Sequence, residues 1–107
     1  MKARLIVKVE TEPGAPQMQV AELEFKPASQ SPFSSFAVGP ADVRLPDGTI
    51  IQVSSSWVPK TNMISLILLQ DDQIIGHAGS CWHLGDPYLG VHVHKVGFIH
   101  VYCQREQ

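Results

Sequence analysis

The chain has few charges, and they do not cluster. Its 107 residues contain eight Lys or Arg and ten Asp or Glu, with a formal net charge of −2. The basic residues are scattered, so no basic patch is available to hold a phosphate backbone. No apolar run approaches the ~20 residues that a membrane span requires. These absences argue against nucleic-acid and membrane partners.

Motifs of the common enzyme classes are absent as well. The sequence has no glycine-rich phosphate loop, no Gly-x-Ser-x-Gly elbow and no obvious acid/base pair of carboxylates. It has only two cysteines, and Lys8 and Glu10 interrupt the first apolar segment before a signal-peptide core can form. We therefore expect a cytoplasmic, non-catalytic protein with reduced thiols.

What the sequence does contain is period-two alternation. In the segment 2–10, Ala3, Leu5, Val7 and Val9 alternate with polar residues, as in a strand with one buried face. Several further segments alternate in the same way and none predicts a long helix. About eight short strands with regular turns predict an all-β fold. We expect residues 1–107 to form one antiparallel β-sandwich, with a small β-barrel as the alternative.

Local signals predict individual hairpins. In 43–53, Pro46-Asp47-Gly48 has the residues of a tight turn and pairs the strands on either side. Asp71-Asp72 predicts a two-residue turn after the apolar segment 63–70, which we expect to be a central strand covered on both faces. That turn would place His77 on the core side, opposite Leu66. In 17–25 the alternation breaks at Val20-Ala21, which predicts a β-bulge.

The segment 26–40 is rich in proline and serine and predicts a long loop. Phe33 and Phe36 lie within it. A long loop with exposed aromatic side chains is a reasonable recognition element, so these two residues are a candidate binding loop. The alternative is that both rings plug one end of the core.

The histidines define the second candidate site. All five lie between residues 77 and 100, and 89–103 predicts a hairpin. With Lys95-Val96-Gly97 as its turn, His92 pairs with His100 and His94 with Phe98. Val91, Val93, Ile99, Val101 and Cys103 then share the core face. The metal candidates His92, His94 and His100 share the opposite face.

Two histidines on one strand and a third across the ladder can converge on one cation, because cross-strand Cβ atoms are only ~5 Å apart. Three imidazoles with an open fourth position suit zinc or a similar transition metal. A metal-binding protein or metal-dependent enzyme is therefore one hypothesis. The alternative is that the three side chains are simply solvated.

The first functional hypothesis is a non-catalytic binding or assembly module that acts through protein–protein interaction. Its partner would be another protein or a second copy of the chain, because an open sandwich leaves strand edges unpaired. A third hypothesis is nucleic-acid binding, with Trp57, Trp82, Tyr88 and Tyr102 stacking on bases. The near-neutral charge makes it the weakest of the three.

Overall fold

A computed structural model describes residues 2–28, 35–83 and 85–106. The chain forms nine strands: β1 (Lys2–Glu10), β2 (Met18–Glu24), β3 (Lys26–Ala28), β4 (Ser35–Arg44), β5 (Ile50–Val58), β6 (Met63–Gln70), β7 (Gln73–Cys81), β8 (Tyr88–Val93) and β9 (Gly97–Glu106). They build two antiparallel sheets, ordered β2-β1-β9-β8 and β3-β4-β5-β6-β7. The all-β prediction is confirmed, and the two open sheets are consistent with a sandwich.

The tight turns follow the local sequence rules. Leu45 donates its N–H to the Thr49 carbonyl at 2.8 Å, and the Gly48 N–H bonds back to Leu45 at 2.9 Å. Gly48 has a φ of +90°, a conformation that costs glycine little. Asp71 and Asp72 both have positive φ, 51° and 64°, as a primed hairpin turn requires. Both predicted turns are therefore confirmed.

β-Bulges set the register on both sheets. In the β1–β2 pair, Val7 lies opposite Ala21 and Lys8 opposite Gln19, so Val20 is the extra residue and the predicted bulge is confirmed. A second shift occurs in the β6–β7 pair, where Leu69 faces Ile74 but Leu68 faces Gly76. The prediction did not include this second bulge.

The second bulge overturns the prediction for His77. Because Ile75 is left out of the pairing, Ala78 lies opposite Leu66 and His77 lies opposite Ile67. A shift of one residue moves a side chain to the other face of the sheet. His77 is consequently exposed, and the core-side placement is wrong.

The C-terminal hairpin has the predicted faces but a different register. His92 lies opposite Phe98, and His100 lies opposite Gly90, so the predicted His92–His100 and His94–Phe98 pairs are wrong. The turn is formed by residues 94–96, with the Val96 N–H bonded to the Val93 carbonyl at 3.0 Å. A change of two residues in the pairing preserves the faces.

The core lies between the sheets. Ile64, Leu66 and Leu68 of β6 are at most 1% exposed. Met63 on the opposite face of the same strand is 55% exposed, so the prediction that β6 is covered on both faces is wrong. The remaining core residues include the predicted hairpin set: Val91, Val93, Ile99, Val101 and Cys103.

Aromatic side chains fill one part of this core. Trp57 and Trp82 are each 1% exposed, with ring centroids 4.9 Å apart. The Arg105 guanidinium lies over both indoles, 5.8 Å and 5.2 Å from the two ring centroids, in cation–π geometry. Buried tryptophans cannot stack on bases, so this part of the nucleic-acid hypothesis is wrong.

The segment 26–40 is largely strand. β3 and β4 occupy its two ends, so the prediction of one long loop is wrong for those residues. Phe36 lies on β4 and stacks on Trp57 with ring centroids 5.2 Å apart. Its partly buried ring packs against the core, which agrees with the alternative that this ring closes one end of the core. Phe33 lies outside the described residues.

Within the described ranges, no helix is long and apolar enough to cross a membrane.

Candidate functional site

The histidine face is the outer face of the four-stranded sheet. The structure brings His92 and His100 onto this face through β8 and β9, whereas His94 lies in the turn between these strands. His92 and His94 are exposed, but His100 is only 8% exposed. Strand pairing therefore does not bring the three imidazoles together around a common point.

His100 is held by hydrogen bonds at both ring nitrogens. Its Nε2 is 3.0 Å from the Glu10 Oε1, and its Nδ1 is 2.5 Å from the Tyr88 hydroxyl. An ionised carboxylate only accepts, so Nε2 donates to Glu10 and Nδ1 of a singly protonated ring accepts from Tyr88. The second Glu10 oxygen accepts from the Gly14 N–H at 3.1 Å. A metal would have to displace one of the two partners of His100.

Tyr88 reaches His100 because of a glycine. Gly90 lies directly opposite His100, and a Cβ on Gly90 would overlap the Tyr88 ring and hydroxyl. Because Gly90 has no side chain, the Tyr88 side chain can lie over it, along β8, and reach His100. Burial raises the pKa of the Tyr88 hydroxyl, and the nearby Tyr102 and Glu10 raise it further. The hydroxyl therefore stays protonated and remains a donor to Nδ1.

Sequence reasoning does not find the contacts of Glu10 and Tyr88 with His100. Glu10 lies 90 residues from His100 along the chain, and only the β1–β9 pairing brings the two together. Among the described residues, no group of three or more His, Cys, Asp or Glu side chains is placed to hold a metal ion. The metal site stays a prediction.

The second candidate surface is the outer face of the five-stranded sheet. None of the residues of β5, β6 or β7 is Lys, Arg, Asp or Glu. Ile50, Met63 and Ile74 are 47%, 55% and 63% exposed on this face, and Ile67 and Leu69 are half-buried between them. We call this surface, the outward side chains of β5–β7, the uncharged face.

The centre of the uncharged face is shallow. Ser56 and Ser65 lie opposite each other, and their hydroxyl oxygens are 2.8 Å apart. Gly79 lies opposite Ser65 on the next strand. Because the larger apolar side chains flank this row of small residues, a partner surface could pack closely on the sheet. The signal was visible in the sequence, since the charges within 50–81 fall only in turns.

The two cysteines differ in environment. Cys103 is 1% exposed, and burial raises the pKa of its thiol to about 12, with a smaller effect of Asp86. Cys81 is exposed at the end of β7. Neither thiol forms a disulfide.

We expect a thiol reagent at pH 8 to label Cys81 and leave Cys103 unlabelled until the chain unfolds, because only the thiolate reacts. The folded thiol keeps its proton to a higher pH than the unfolded one. The free energy of unfolding should therefore fall as pH rises from about 9 to 12. A Cys81→Ser variant is the control, with no label in the native state. Rapid labelling of both thiols in the native wild type would contradict this assignment.

No protein-family model, no curated protein and no solved structure matches the chain. The fold and the two outer faces are therefore the basis for assigning a function.

Proposed function

We propose that this β-sandwich is a non-catalytic assembly module that pairs with a second copy of itself through the uncharged face of β5–β7. The observation that carries the proposal is the absence of Lys, Arg, Asp and Glu from three adjacent strands. By contrast, β1, β2 and β9 of the other sheet all contain charged residues. Depletion of charge and exposed aliphatic side chains are typical of the centre of an interface.

A second copy fits this face better than a charged partner. In a twofold symmetric contact the same surface meets itself, so a charge near the axis lies close to its own copy. β5–β7 contain no Lys, Arg, Asp or Glu that would cause such repulsion, and His77 is their one imidazole. The face also offers no such charges with which a different, charged partner could form complementary pairs.

The uncharged face supplies part of the area that a stable dimer needs. β5–β7 are three adjacent strands of eight or nine residues. Strands lie ~4.8 Å apart and rise ~3.3 Å per residue, so the face covers roughly 400 Å² in plan. Projecting side chains and the bordering strand β4, which carries Asp42 and Arg44, would extend the contact toward the ~800 Å² per partner of a standard interface.

Changing Ile74 to lysine is expected to separate the dimer into monomers. The ammonium would have to lose its water within an apolar contact, so the Kd should rise roughly 100-fold or more. Sedimentation equilibrium from low to high micromolar concentration measures the change. Ile74 is 63% exposed, so the substitution should leave the fold intact.

Met18→Lys is the matched control. Met18 is 52% exposed on β2 of the other sheet, and its substitution should not change the Kd. A wild-type chain that stays monomeric at high micromolar concentration would refute pairing with a second copy, even if it bound a different protein. Equal dimerisation of wild type and Ile74→Lys would show that the contact lies elsewhere.

A further inference from the structure

The outer face of the four-stranded sheet carries a continuous row of rings. On the β8–β9 ladder, five of the six outward positions are aromatic or imidazole rings, and the sixth is Gly90. We call these five side chains the ring strip: Tyr88, His92, Phe98, His100 and Tyr102. Successive centroids along it, from Tyr102 through Tyr88, His100 and Phe98 to His92, are 5.3, 5.7, 6.1 and 4.9 Å apart.

The strip has exposed rings on both sides of a buried centre. Tyr88 and Phe98 are 50% and 37% exposed, and His92 is exposed. His100 lies buried between them, tied to Glu10 and Tyr88. Rings held in place by one another lose little conformational freedom on binding, which favours a binding surface over a merely solvated face.

Polar groups border the rings. The Tyr102 hydroxyl donates to the Gln17 Oε1 at 2.7 Å, and this bond orients the Gln17 amide. The Lys8 ammonium lies 5.4 Å from the Tyr102 ring centroid. Exposed aromatic surface flanked by hydrogen-bonding groups is complementary to a sugar ring, whose C–H groups form one apolar side while its hydroxyls lie around the rim.

We propose that the ring strip binds an uncharged polysaccharide chain. Two concavities of the described residues lie away from the strip, one beside Arg4 and Glu22 and the other beside Leu45 and Val96. A small molecule would need such an enclosure, whereas a polymer can lie along a flat surface. Extended peptides add to strand edges or fill grooves, and the strip is on a sheet face.

Charge distinguishes a neutral glycan from a nucleic acid. Lys8 and Glu10, one charge of each sign, lie beside the strip, and the glutamate is bonded to His100. Stacking platforms for single-stranded nucleic acid combine rings with a positively charged groove that follows the phosphates. The basic residues here do not provide one.

The test is affinity electrophoresis of the full chain in gels that contain soluble neutral polysaccharides: hydroxyethylcellulose, xylan, galactomannan and amylose. At least one should retard the wild type. The Phe98→Ala/Tyr102→Ala double variant should bind that polymer at least roughly tenfold more weakly, because two stacking faces are lost. Phe98→Tyr keeps a ring and should retain binding.

Met18→Ala, which lies outside both the ring strip and the uncharged face and is 52% exposed, is the matched control and should bind as the wild type does. Thermal unfolding of each variant shows whether the fold is preserved. Should Phe98→Ala/Tyr102→Ala unfold, the single Phe98→Ala variant replaces it. Failure of all four polymers to retard the wild type overturns the proposal. Preferential retention on heparin or oligo(dT), or dimer dissociation caused by the ring-strip variant, would also overturn it and would assign the strip to a polyanion or to a second copy.

Discussion

Replacing Leu68 with alanine is expected to lower the free energy of unfolding by about 3–5 kcal/mol. Leu68 is 0% exposed on the core side of β6, so the shortened side chain removes apolar contacts and leaves a cavity between two sheets that cannot close fully around it. A domain of this size has a total stability of roughly 5–15 kcal/mol. The variant should therefore unfold at a much lower urea concentration, and the fluorescence of the two buried tryptophans reports the transition.

Leu69→Ala is the matched control. Leu69 is the next residue on the same strand, but its side chain is half-buried on the uncharged face. The same substitution should cost about 1 kcal/mol or less there, because water fills the vacated space. Similar losses from Leu68→Ala and Leu69→Ala would contradict the assignment of the two faces of β6. Measurement at low protein concentration keeps self-association from contributing.

The second large effect is expected at Gly97. Its φ of +116° is unfavourable for any residue with a side chain, and a Cβ there would overlap the Glu10 carbonyl oxygen and approach Thr11. Backbone strain and overlap with a rigid backbone each cost roughly 1–3 kcal/mol, so Gly97→Ala should destabilise the chain by about 2–5 kcal/mol. Urea denaturation followed by tryptophan fluorescence measures it.

Gly48→Ala separates the two contributions. Gly48 also has a positive φ, +90°, but nothing lies within 4 Å of a Cβ added there. Its substitution should therefore show the strain alone, about 1–2 kcal/mol. If Gly97→Ala cost no more than Gly48→Ala, the close approach of β9 to the end of β1 would not be a structural constraint.

Gly97 also shows why the C-terminal hairpin differs from its prediction. Local turn chemistry assigns this glycine to the turn, because glycine tolerates positive φ. In the structure it is the first residue of β9, and the space that it leaves is occupied by the Glu10 carbonyl. Lys95, with a φ of 67°, takes a left-handed position in the turn instead. The contact with β1 is distant in sequence, so no local pattern predicts it.

The sequence by itself determined the features that depend on residues close together along the chain. Alternation predicted the strands and the core face of β9, and the turn residues predicted the hairpins at 45–49 and 71–72. Each of these features depends on backbone preferences within a few residues or on the two-residue period of a strand.

Only the tertiary structure decided which outward side chains meet. The bulge at Ile75 moved His77 to the exposed face, and strand pairing brought Glu10, Tyr88 and His100 together. It also buried Trp57 and Trp82 against each other. The physical reason is that register between strands is set by packing of the whole sandwich. A shift of one residue reverses the face of every side chain beyond it, and a shift of two changes every neighbour.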